Sequence, residues 1–284
     1  MSRKIRYPSQ AGAFYAGSKE SLKRQIEGCF THRFGPGIIP KVVEDGPRKI
    51  LGLICPHAGY MYSGPVAANS YYRLALDGKV DTFVILGPNH YGVGSGLALM
   101  NSGVWRTPLG DVEVDVELAN EIVRGSGLID VDESAHRYEH SIEVQIPFLQ
   151  YLYGSSFKIV PICFLMQDLQ SSREVGNAIA RALNGRNAVV IASTDMTHYE
   201  PHEQASHKDK LALNAIEKMN EEEFYSIIES YRISACGYGP VAALIVASKL
   251  LGAKKAEILC YRTSGDVVGD YSSVVGYASA CFTK

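Results

Sequence analysis

The segment ILGLICPHAGYMYSGPVAANSYYRLALDGKVDTFVILGPNHYG, residues 50–92, contains two short apolar runs separated by a helical pattern. The runs at 50–55 and 82–87 are rich in Val, Ile and Leu without strict alternation, which is typical of strands covered on both faces. The pattern at 65–76 opens with Pro65, a residue favoured in the first turn of a helix. This segment therefore predicts a strand, a helix and a second strand of an α/β fold.

The same alternation continues outward along the chain. Further apolar runs predict strands at 157–164, 187–193, 256–262 and 273–282. Helical patterns are predicted at 19–30 after a candidate cap at Ser18, and at 116–125, 140–152, 172–184, 203–219, 221–230 and 239–252. The alternation predicts an α/β three-layer sandwich with a central, mostly parallel sheet and helices on both of its faces.

Two weaker patterns complete the expected organisation. VEVDVEL (112–118) alternates and predicts an edge strand that leads into a helix, whereas FGPGIIPKVVEDGP (34–47) predicts a loop before the first core strand. No internal repeat, low-complexity tract or long linker interrupts the pattern. We therefore expect a single domain over residues 1–284, in which residues 1–49 form an N-terminal helix and loop lead-in.

The composition is that of an ordinary globular protein. A hydrophobic share of 46% and a charged share of 20% exclude disorder, collagen and coiled coil. The net charge of −2 provides no excess positive field, so we expect no nucleic-acid and no membrane partner. No run approaches the length of a transmembrane helix, and no apolar stretch follows the basic first residues, so neither a membrane span nor a secretory signal is expected.

The cysteines indicate a reducing compartment. They are Cys29, Cys55, Cys163, Cys236, Cys260 and Cys281, with no CxxC pair. Cys163, Cys260 and Cys281 lie in apolar strand-like runs, where a cysteine behaves as a small buried hydrophobic residue. We therefore expect free thiols and a cytoplasmic location.

Titratable side chains occur where the predicted strands end. His57 and His90 each follow a predicted strand, Asp195 and His198 follow another, and Cys236 precedes a predicted helix. Because ligands bind at the carboxyl ends of the strands in open α/β sheets, we expect these five residues to line one cleft. Each also has a structural explanation. A histidine after a strand can be a hydrogen-bonded loop residue, Asp195 can cap a helix, and Cys236 can be a small buried residue.

The chemistry of such a cluster is that of a metal site. Two imidazoles and one anionic ligand can hold a divalent metal on one face, as in non-haem iron sites, and zinc with two histidines and a cysteine is also sensible. A further histidine or aspartate could move protons or orient a ligand. His140 and Glu143 lie three apart on a predicted helix, so we expect them to support the cleft without binding metal. A packed helix start is the alternative for this pair.

Seven motifs, in order over about residues 8–282, resemble the Memo family. They are AGAFYAGS (11–18), PHAGYMYSGPVAA (56–68), ILGPNHYG (85–92), WRTPLGDVEVD (105–115), EHSIEVQIPFLQ (139–150), STDMTHYE (193–200) and ACGYGP (235–240). That family resembles, in fold, the catalytic subunit of class III extradiol ring-cleaving dioxygenases. Those enzymes hold non-haem Fe(II) with two histidines and a glutamate.

The resemblance implies roles for the residues of the cleft. His57 and His90 match the two histidine ligands, and Cys236 stands where the dioxygenases place their carboxylate. His198 matches their acid–base histidine and Asp195 lies beside it, so these two are the implied catalytic residues. The cysteine departs from the dioxygenase set and agrees with the Memo pattern. Fe(II) is the implied metal, with Cu or Zn as alternatives, and a metal-bound thiolate should have a pKa below its usual value of about 8.5.

Three functions remain open from the sequence. The first is a mononuclear metal oxidoreductase of unknown substrate, and the second is a binding module whose cleft holds a peptide or an anionic ligand. The third is a metal that only stabilises the fold. The resemblance also implies partners, because animal members are described as adaptors for a phosphotyrosine-containing receptor peptide. Prokaryotic members are associated with an AMMECR1-type protein and a radical SAM protein.

Overall fold

The computed structural model describes residues 4–284, so residues 1–3 of the predicted lead-in lie outside the described residues. The strands are β1 (Ile5–Arg6), β2 (Ile50–Cys55), β3 (Thr82–Pro88), β4 (Leu97–Leu99), β5 (Val104–Thr107), β6 (Gly110–Val114), β7 (Asp130–Val131), β8 (Lys158–Phe164), β9 (Ala188–Ser193), β10 (His198–Glu200), β11 (Lys255–Thr263) and β12 (Val274–Thr283). The α-helices are α1 (Lys19–Thr31), α2 (Gly64–Asp77), α3 (Val116–Gly125), α4 (Ile146–Tyr153), α5 (Leu169–Leu183), α6 (His202–Glu217), α7 (Glu221–Ser230), α8 (Tyr238–Leu250) and α9 (Ser264–Val268).

The strands form one sheet whose centre is parallel. Its order is β1-β5-β6-β8-β3-β9-β2-β12-β10, and the strands from β6 to β2 in this order all run parallel to their neighbours. β12 pairs antiparallel with β2, β10 and β11, while β4 joins β8 and β7 at the side of the main path. The predicted central, mostly parallel sheet is confirmed.

Helices cover both faces of the central strands. Every residue of β2, β3 and β9 is buried, as the apolar runs predict. The helix α2 contacts α1 and α4, whereas α8 contacts α5 and α7, and both α2 and α8 lie against β2. The two helix groups therefore enclose the sheet from opposite sides, which is the predicted three-layer arrangement.

Helix starts follow the local signals in the sequence. The Ser18 side chain accepts a hydrogen bond from the backbone N–H of Ser21 and so caps α1, as predicted. Pro65 occupies the first turn of α2, where its missing N–H costs nothing. Among the helices of residues 4–284, none is both long and apolar enough to cross a bilayer.

Two predictions about local structure were wrong. Segment 140–152 is not one helix, because a 3-10 turn at Glu143–Gln145 comes first and α4 begins only afterwards. Pro147 lies in the first turn of α4, where proline is tolerated, whereas in the interior of one continuous helix it would remove a backbone hydrogen bond. The strand predicted within 112–118 is β6, which is not an edge strand because it pairs with both β5 and β8.

One cysteine also differs from its prediction. Cys163 and Cys281 are buried, as expected, but Cys260 is only half-buried. Within the described residues its strand, β11, pairs only with β12, and it is partly exposed along most of its length. The apolar run identified the strand correctly but could not show that the strand lies at an edge.

Candidate metal centre

Three neighbouring strands deliver titratable residues to the same edge of the sheet. β3, β9 and β2 are adjacent and parallel, so their carboxyl ends lie together. His57, His90 and Asp195 each lie two residues beyond the end of one of these strands. Cys236 reaches the same edge from the segment that precedes α8. The structure thus brings together residues that are far apart in the sequence.

Close backbone approach at two glycines makes this convergence possible. A Cβ on Gly237 would lie 2.3 Å from the carbonyl oxygen of Ser193, so only glycine lets the Cys236 segment approach the end of β9. A Cβ on Gly87 would likewise lie 2.4 Å from the hydroxyl oxygen of Ser141. The glycine at the end of β3 therefore admits the segment that carries Ser141 to the same edge.

His57, His90 and Cys236 form a compact group. Their ligand atoms all lie within 4.8 Å of one another. The shortest contact joins the Cys236 sulfur to Nε2 of His57 at 3.0 Å, and the ring centroids of the two histidines are 5.1 Å apart. His57 is buried, whereas 31% of the His90 side chain is exposed. The group therefore has one side in the protein and one side open to a ligand.

Ser193 determines which nitrogen of His57 faces the group. The Ser193 hydroxyl donates to the Ser141 carbonyl at 2.7 Å and accepts from the Gln145 amide at 2.8 Å. Because its only proton is already used, the 2.9 Å contact with Nδ1 of His57 must be donated by the imidazole. The proton on Nδ1 leaves Nε2 with a free lone pair that faces Cys236.

Glu139 orients His90 in the same way. One carboxylate oxygen accepts from Nδ1 of His90 at 2.9 Å and the other accepts from the His90 backbone N–H at 2.6 Å. The backbone N–H groups of His140 and Ser141 also donate to this carboxylate, each at 2.8 Å. Burial acts to raise the pKa of Glu139, but His90 and the other contacts lower it to about 2. Glu139 is therefore ionised and keeps the His90 proton on Nδ1.

His90, Glu139 and His140 also lie close enough to form a second group of possible ligands. The carboxylate oxygens of Glu139, however, already accept the ring N–H of His90 and the backbone N–H groups of His90, His140 and Ser141. A cation bound there would have to displace the Nδ1 proton of His90. Glu139 is therefore an orienting group rather than a ligand.

Burial sets the protonation state of the two innermost ligand candidates. The pKa of His57 lies well below its usual value, first because the ring is buried and then because of the neighbouring histidines, so this imidazole is neutral. Burial also raises the pKa of the Cys236 thiol, and the charge of Asp195 raises it further. The protein groups alone thus act against the thiolate. The lowered pKa that the sequence predicts has to come from the metal itself.

Asp195 and His198 lie beside the group rather than in it. Asp195 accepts the backbone N–H of His57 at 2.8 Å, and burial raises the pKa of this carboxyl to about 6. Nδ1 of His198 donates to the Ser234 carbonyl at 2.9 Å, which leaves Nε2 of His198 free to accept. A positive charge on His198 would lower the pKa of both His57 and Asp195, so the three residues are electrostatic neighbours.

His140 and Glu143 serve different parts of the molecule. The His140 ring centroid lies 4.5 Å from that of His90 and 5.4 Å from that of His57, and burial lowers the pKa of His140 to about 4. Glu143 instead pairs with Arg6 and accepts from the hydroxyl of Tyr15 at 2.6 Å. The expectation of one shared helical face was wrong, because His140 precedes the helical part of this segment.

Sequence reasoning missed the residues that orient the histidines. It does not single out Ser193, Gln145, Ser141 or Glu139 as a partner of His57 or His90. The available signal is weak: Ser193 is a polar residue at the end of an apolar strand and is followed by Thr194 and Asp195. Its hydrogen bonds to segment 141–145 depend on the fold and leave no local pattern.

A separate cavity of about 740 Å³ lies away from this edge. Its lining includes Arg6, Tyr7, Arg137 and Tyr138, and it contains none of the residues of the histidine and cysteine group. It brings together no set of metal-binding side chains within residues 4–284. The candidate metal-binding side chains of residues 4–284 therefore lie at the strand ends and not in this cavity.

The sheet and the site together define an α/β protein with a candidate mononuclear metal centre at the carboxyl edge of its parallel strands. A solved structure of an uncharacterized protein from Escherichia coli K12 has a similar fold, with a TM-score of 0.57. The two chains are 13% identical, and the similarity covers 82% of this chain and 99% of that one. At this identity the likeness supports the fold alone.

The family follows from sequence. Residues 6–281 match the family described as Memo-like protein. MEMO1 family proteins are 54% identical in Methanopyrus kandleri, over 98% of this chain and 99% of that protein, and 53% identical in Methanocaldococcus jannaschii, over 98% of each. A third, in Sulfolobus acidocaldarius, is 48% identical over 98% of this chain and 99% of that protein. The chain belongs to the Memo family, as the motifs predict.

Proposed function

We propose that the chain is a metal-dependent oxidoreductase of unknown substrate, with one divalent metal held by His57, His90 and Cys236. The observation that carries this proposal is the convergence of three ligand atoms from separate segments to within 4.8 Å. Both imidazoles already have Nδ1 engaged by an acceptor, so that Nε2 is available. Such hydrogen bonds are what orient histidines that bind metals.

The donor set fits a divalent cation. Ligand distances of about 2.0–2.3 Å place donors of one tetrahedral ion roughly 3.5 Å apart, close to the 3.0 Å between the Cys236 sulfur and Nε2 of His57. Glu139 adds a buried negative charge whose ion-pair partners, within residues 4–284, are histidines only. A cation would offset that charge. The resemblance to the dioxygenases makes Fe(II) the proposed metal, and the soft thiolate also suits Cu or Zn.

The neighbouring residues have distinct tasks in this proposal. The metal would supply Lewis-acid and one-electron redox chemistry. His198 has its Nδ1 proton on the Ser234 carbonyl, so its Nε2 can take a proton from a ligand and return it. Asp195 holds the backbone of His57 in place through the 2.8 Å contact and contributes charge beside the site. We therefore assign the acid–base step to His198 and a supporting catalytic role to Asp195.

A second candidate function is a module that binds a peptide or an anionic ligand in the same cleft. Large exposed side chains favour it, because Met61, Tyr91 and Tyr199 each lie within four residues of a site histidine in sequence and are exposed. Exposed apolar and aromatic groups around a cleft suit a partner that covers them. A phosphotyrosine peptide, an AMMECR1-type protein and a radical SAM protein are the partners proposed for this function.

We also propose a reducing, cytoplasmic environment. All six cysteines are free, including the buried pair Cys55 and Cys281. A thiol ligand at Cys236 would be lost to oxidation in an oxidising compartment. Location of the tagged protein in cell fractions tests this part of the proposal.

Elemental analysis of protein purified anaerobically, without an affinity metal, tests the proposed function. We expect about one metal ion per chain in the wild type and its loss in His57→Ala, while exposed His207→Ala serves as the matched control. Equal metal content in all three proteins would contradict the site. Peptide binding that survives metal removal would favour the binding module, and a metal that raises the melting temperature without any redox turnover would favour a structural ion.

A further inference from the structure

Tyr277 lies beside the strand ends that carry the proposed metal ligands, and the proposed function assigns it no role. β12 pairs antiparallel with β2, so that Ala280 lies opposite Ile54. If this register is continued past the end of β2, Tyr277 is level with His57. The backbone thus places Tyr277 at the carboxyl edge of the sheet where the ligand residues gather.

A second set of contacts joins the same part of β12 to the loop that follows β9. Gly276, the residue before Tyr277, donates to the Thr197 carbonyl at 2.9 Å and accepts from the Met196 N–H at 2.8 Å. The loop that carries Asp195 is therefore bonded directly to the backbone beside Tyr277. Burial, and then the charge of Asp195, raise the pKa of Tyr277, so its phenol stays protonated and can donate a hydrogen bond.

The Tyr277 hydroxyl differs from those of the other buried tyrosines. The hydroxyl of each of the other five donates a hydrogen bond to a protein oxygen. The donor–acceptor pairs are Tyr15–Glu143, Tyr60–Val144, Tyr71–Gln145, Tyr153–Gly78 and Tyr225–Gln167. Tyr277 is only 3% exposed, yet its hydroxyl has no hydrogen-bond partner among residues 4–284. The hydroxyl oxygen itself is not sealed off from solvent. Because buried tyrosine hydroxyls normally find a partner, this one is available to a bound molecule.

We propose that Tyr277 is a ligand-binding residue, and that its hydroxyl donates a hydrogen bond to an oxygen atom of a small molecule bound at the metal. The ligand class is therefore one with a metal-coordinating oxygen that can also accept a hydrogen bond. The Asp195 carboxyl nearby disfavours strongly anionic ligands, so a neutral or singly charged oxygen donor is expected. This inference rests on the proposed metal centre.

The test uses full-length protein loaded with Co²⁺, whose visible spectrum reports binding at the metal, and acetohydroxamate as the probe. Tyr277→Phe removes the hydroxyl and keeps the ring, and Tyr72→Phe on α2 is the matched control. We expect Tyr277→Phe to bind Co²⁺ like the wild type but to bind acetohydroxamate about five- to tenfold more weakly. The Tyr72→Phe variant should bind the probe with unchanged affinity. Unchanged probe affinity in Tyr277→Phe would overturn the inference and leave the metal centre intact.

A stability measurement provides a readout that does not depend on the metal. Tyr277→Phe should leave the urea midpoint unchanged, because the hydroxyl has no protein partner to lose. Tyr60→Phe, which loses a 2.6 Å hydrogen bond to the Val144 carbonyl, should lower the midpoint. If Tyr277→Phe lowers it equally, the hydroxyl is already paired and the inference is wrong. Failure of the wild type to bind Co²⁺ would overturn the proposed function and this inference together.

Discussion

Two buried glutamates only four residues apart belong to two different kinds of polar region. Glu143 is part of what we call the N-terminal lock, which consists of Arg6, Ser9, Gln10, Tyr15 and Glu143. Glu139 is part of the histidine cleft, which consists of His57, His90, Glu139, His140 and Cys236. Both glutamates are fully buried, yet the hydrogen bonding around them differs in a way that separates structure from function.

The N-terminal lock is complete in itself. The Arg6 guanidinium forms a buried ion pair with Glu143, so the two charges balance. The remaining lone pairs of the Glu143 carboxylate accept the N–H groups of Ser9 and Gln10, each at 2.9 Å, and the Tyr15 hydroxyl at 2.6 Å. A network in which every group has a partner fixes the N-terminal segment and leaves nothing for a ligand to bind.

The histidine cleft is incomplete in itself. Glu139 has N–H partners but no lysine or arginine partner within residues 4–284. Its neighbours present an imidazole lone pair and a thiol to one another across 3.0 Å. A region in which candidate metal ligands lie in mutual contact, and a buried carboxylate has no lysine or arginine partner within residues 4–284, is suited to a cation. The comparison therefore predicts that the lock stabilises the fold and that the cleft binds a metal ion.

The largest expected effect comes from breaking the lock. Glu143→Ala leaves the buried Arg6 charge without its partner, so we expect the free energy of unfolding to fall by about 3–5 kcal/mol. Metal bound per folded chain should not change, because Glu143 lies outside the cleft. Chemical denaturation and elemental analysis measure the two quantities. The control Glu133→Ala, which breaks an exposed pair with Lys4, should cost less than about 1 kcal/mol, and a similarly small loss in Glu143→Ala would contradict the assignment of the lock.

The second effect is a loss of stability in acid from histidines near both regions. Burial lowers the pKa of both His136 and His140 to about 4. His136 lies beside the lock, where its carbonyl accepts a hydrogen bond from Arg6, and His140 lies in the cleft. Above the unfolded value of about 6.5 both are neutral in either state, so their stability contribution is fully present. As the pH falls from about 6.5 towards 4, the two histidines become protonated in the unfolded chain but stay neutral in the folded chain. Each histidine should then cost up to about 3 kcal/mol.

Urea midpoints measured between pH 8 and pH 4.5 check this dependence. Glu139 should not contribute in that range, because its stabilising charge, present above the unfolded pKa of about 4.3, is lost only as the pH approaches 2. His136→Gln removes the share of the histidine beside the lock and should flatten the pH dependence. A midpoint that is constant over the range would show that the two histidines are not buried in neutral form.

The two regions also differ in how far the sequence could predict them. The apolar runs of β2, β3 and β9 are enough to locate the strand ends, and therefore His57, His90 and Asp195, because each run ends shortly before one of these residues. The lock could not be predicted, because Arg6 and Glu143 are 137 residues apart and a single charge pair leaves no periodic signal. Strands of two or three residues, such as β1 and β7, were missed for the same reason.

The third prediction concerns the charge in the cleft. Glu139→Gln keeps the size of the side chain but removes the acceptor charge that holds the proton of His90 on Nδ1. We expect metal affinity to fall by about 10- to 100-fold, measured by competition with a chelator of known affinity. Glu133→Gln is the exposed control and should bind metal like the wild type. If Glu139→Gln binds metal with full affinity, the carboxylate only supports the local backbone.

The smallest expected effect comes from a single hydroxyl. Ser193→Ala removes the acceptor for Nδ1 of His57. The imidazole can then carry its proton on either nitrogen, and no hydrogen bond fixes the orientation of the ring. We expect metal affinity to fall by no more than about tenfold, since the lone pair of Nε2 is still accessible in one tautomer. Ser70→Ala is the matched control, because it also removes a buried hydroxyl, one that bonds the Ile54 carbonyl at 2.9 Å away from the cleft. Both variants should lose about 1 kcal/mol of stability, but only Ser193→Ala should lose metal affinity. Equal metal affinity in the two variants would show that His57 is held by packing alone, and the contrast between the lock and the cleft would then rest on Glu139.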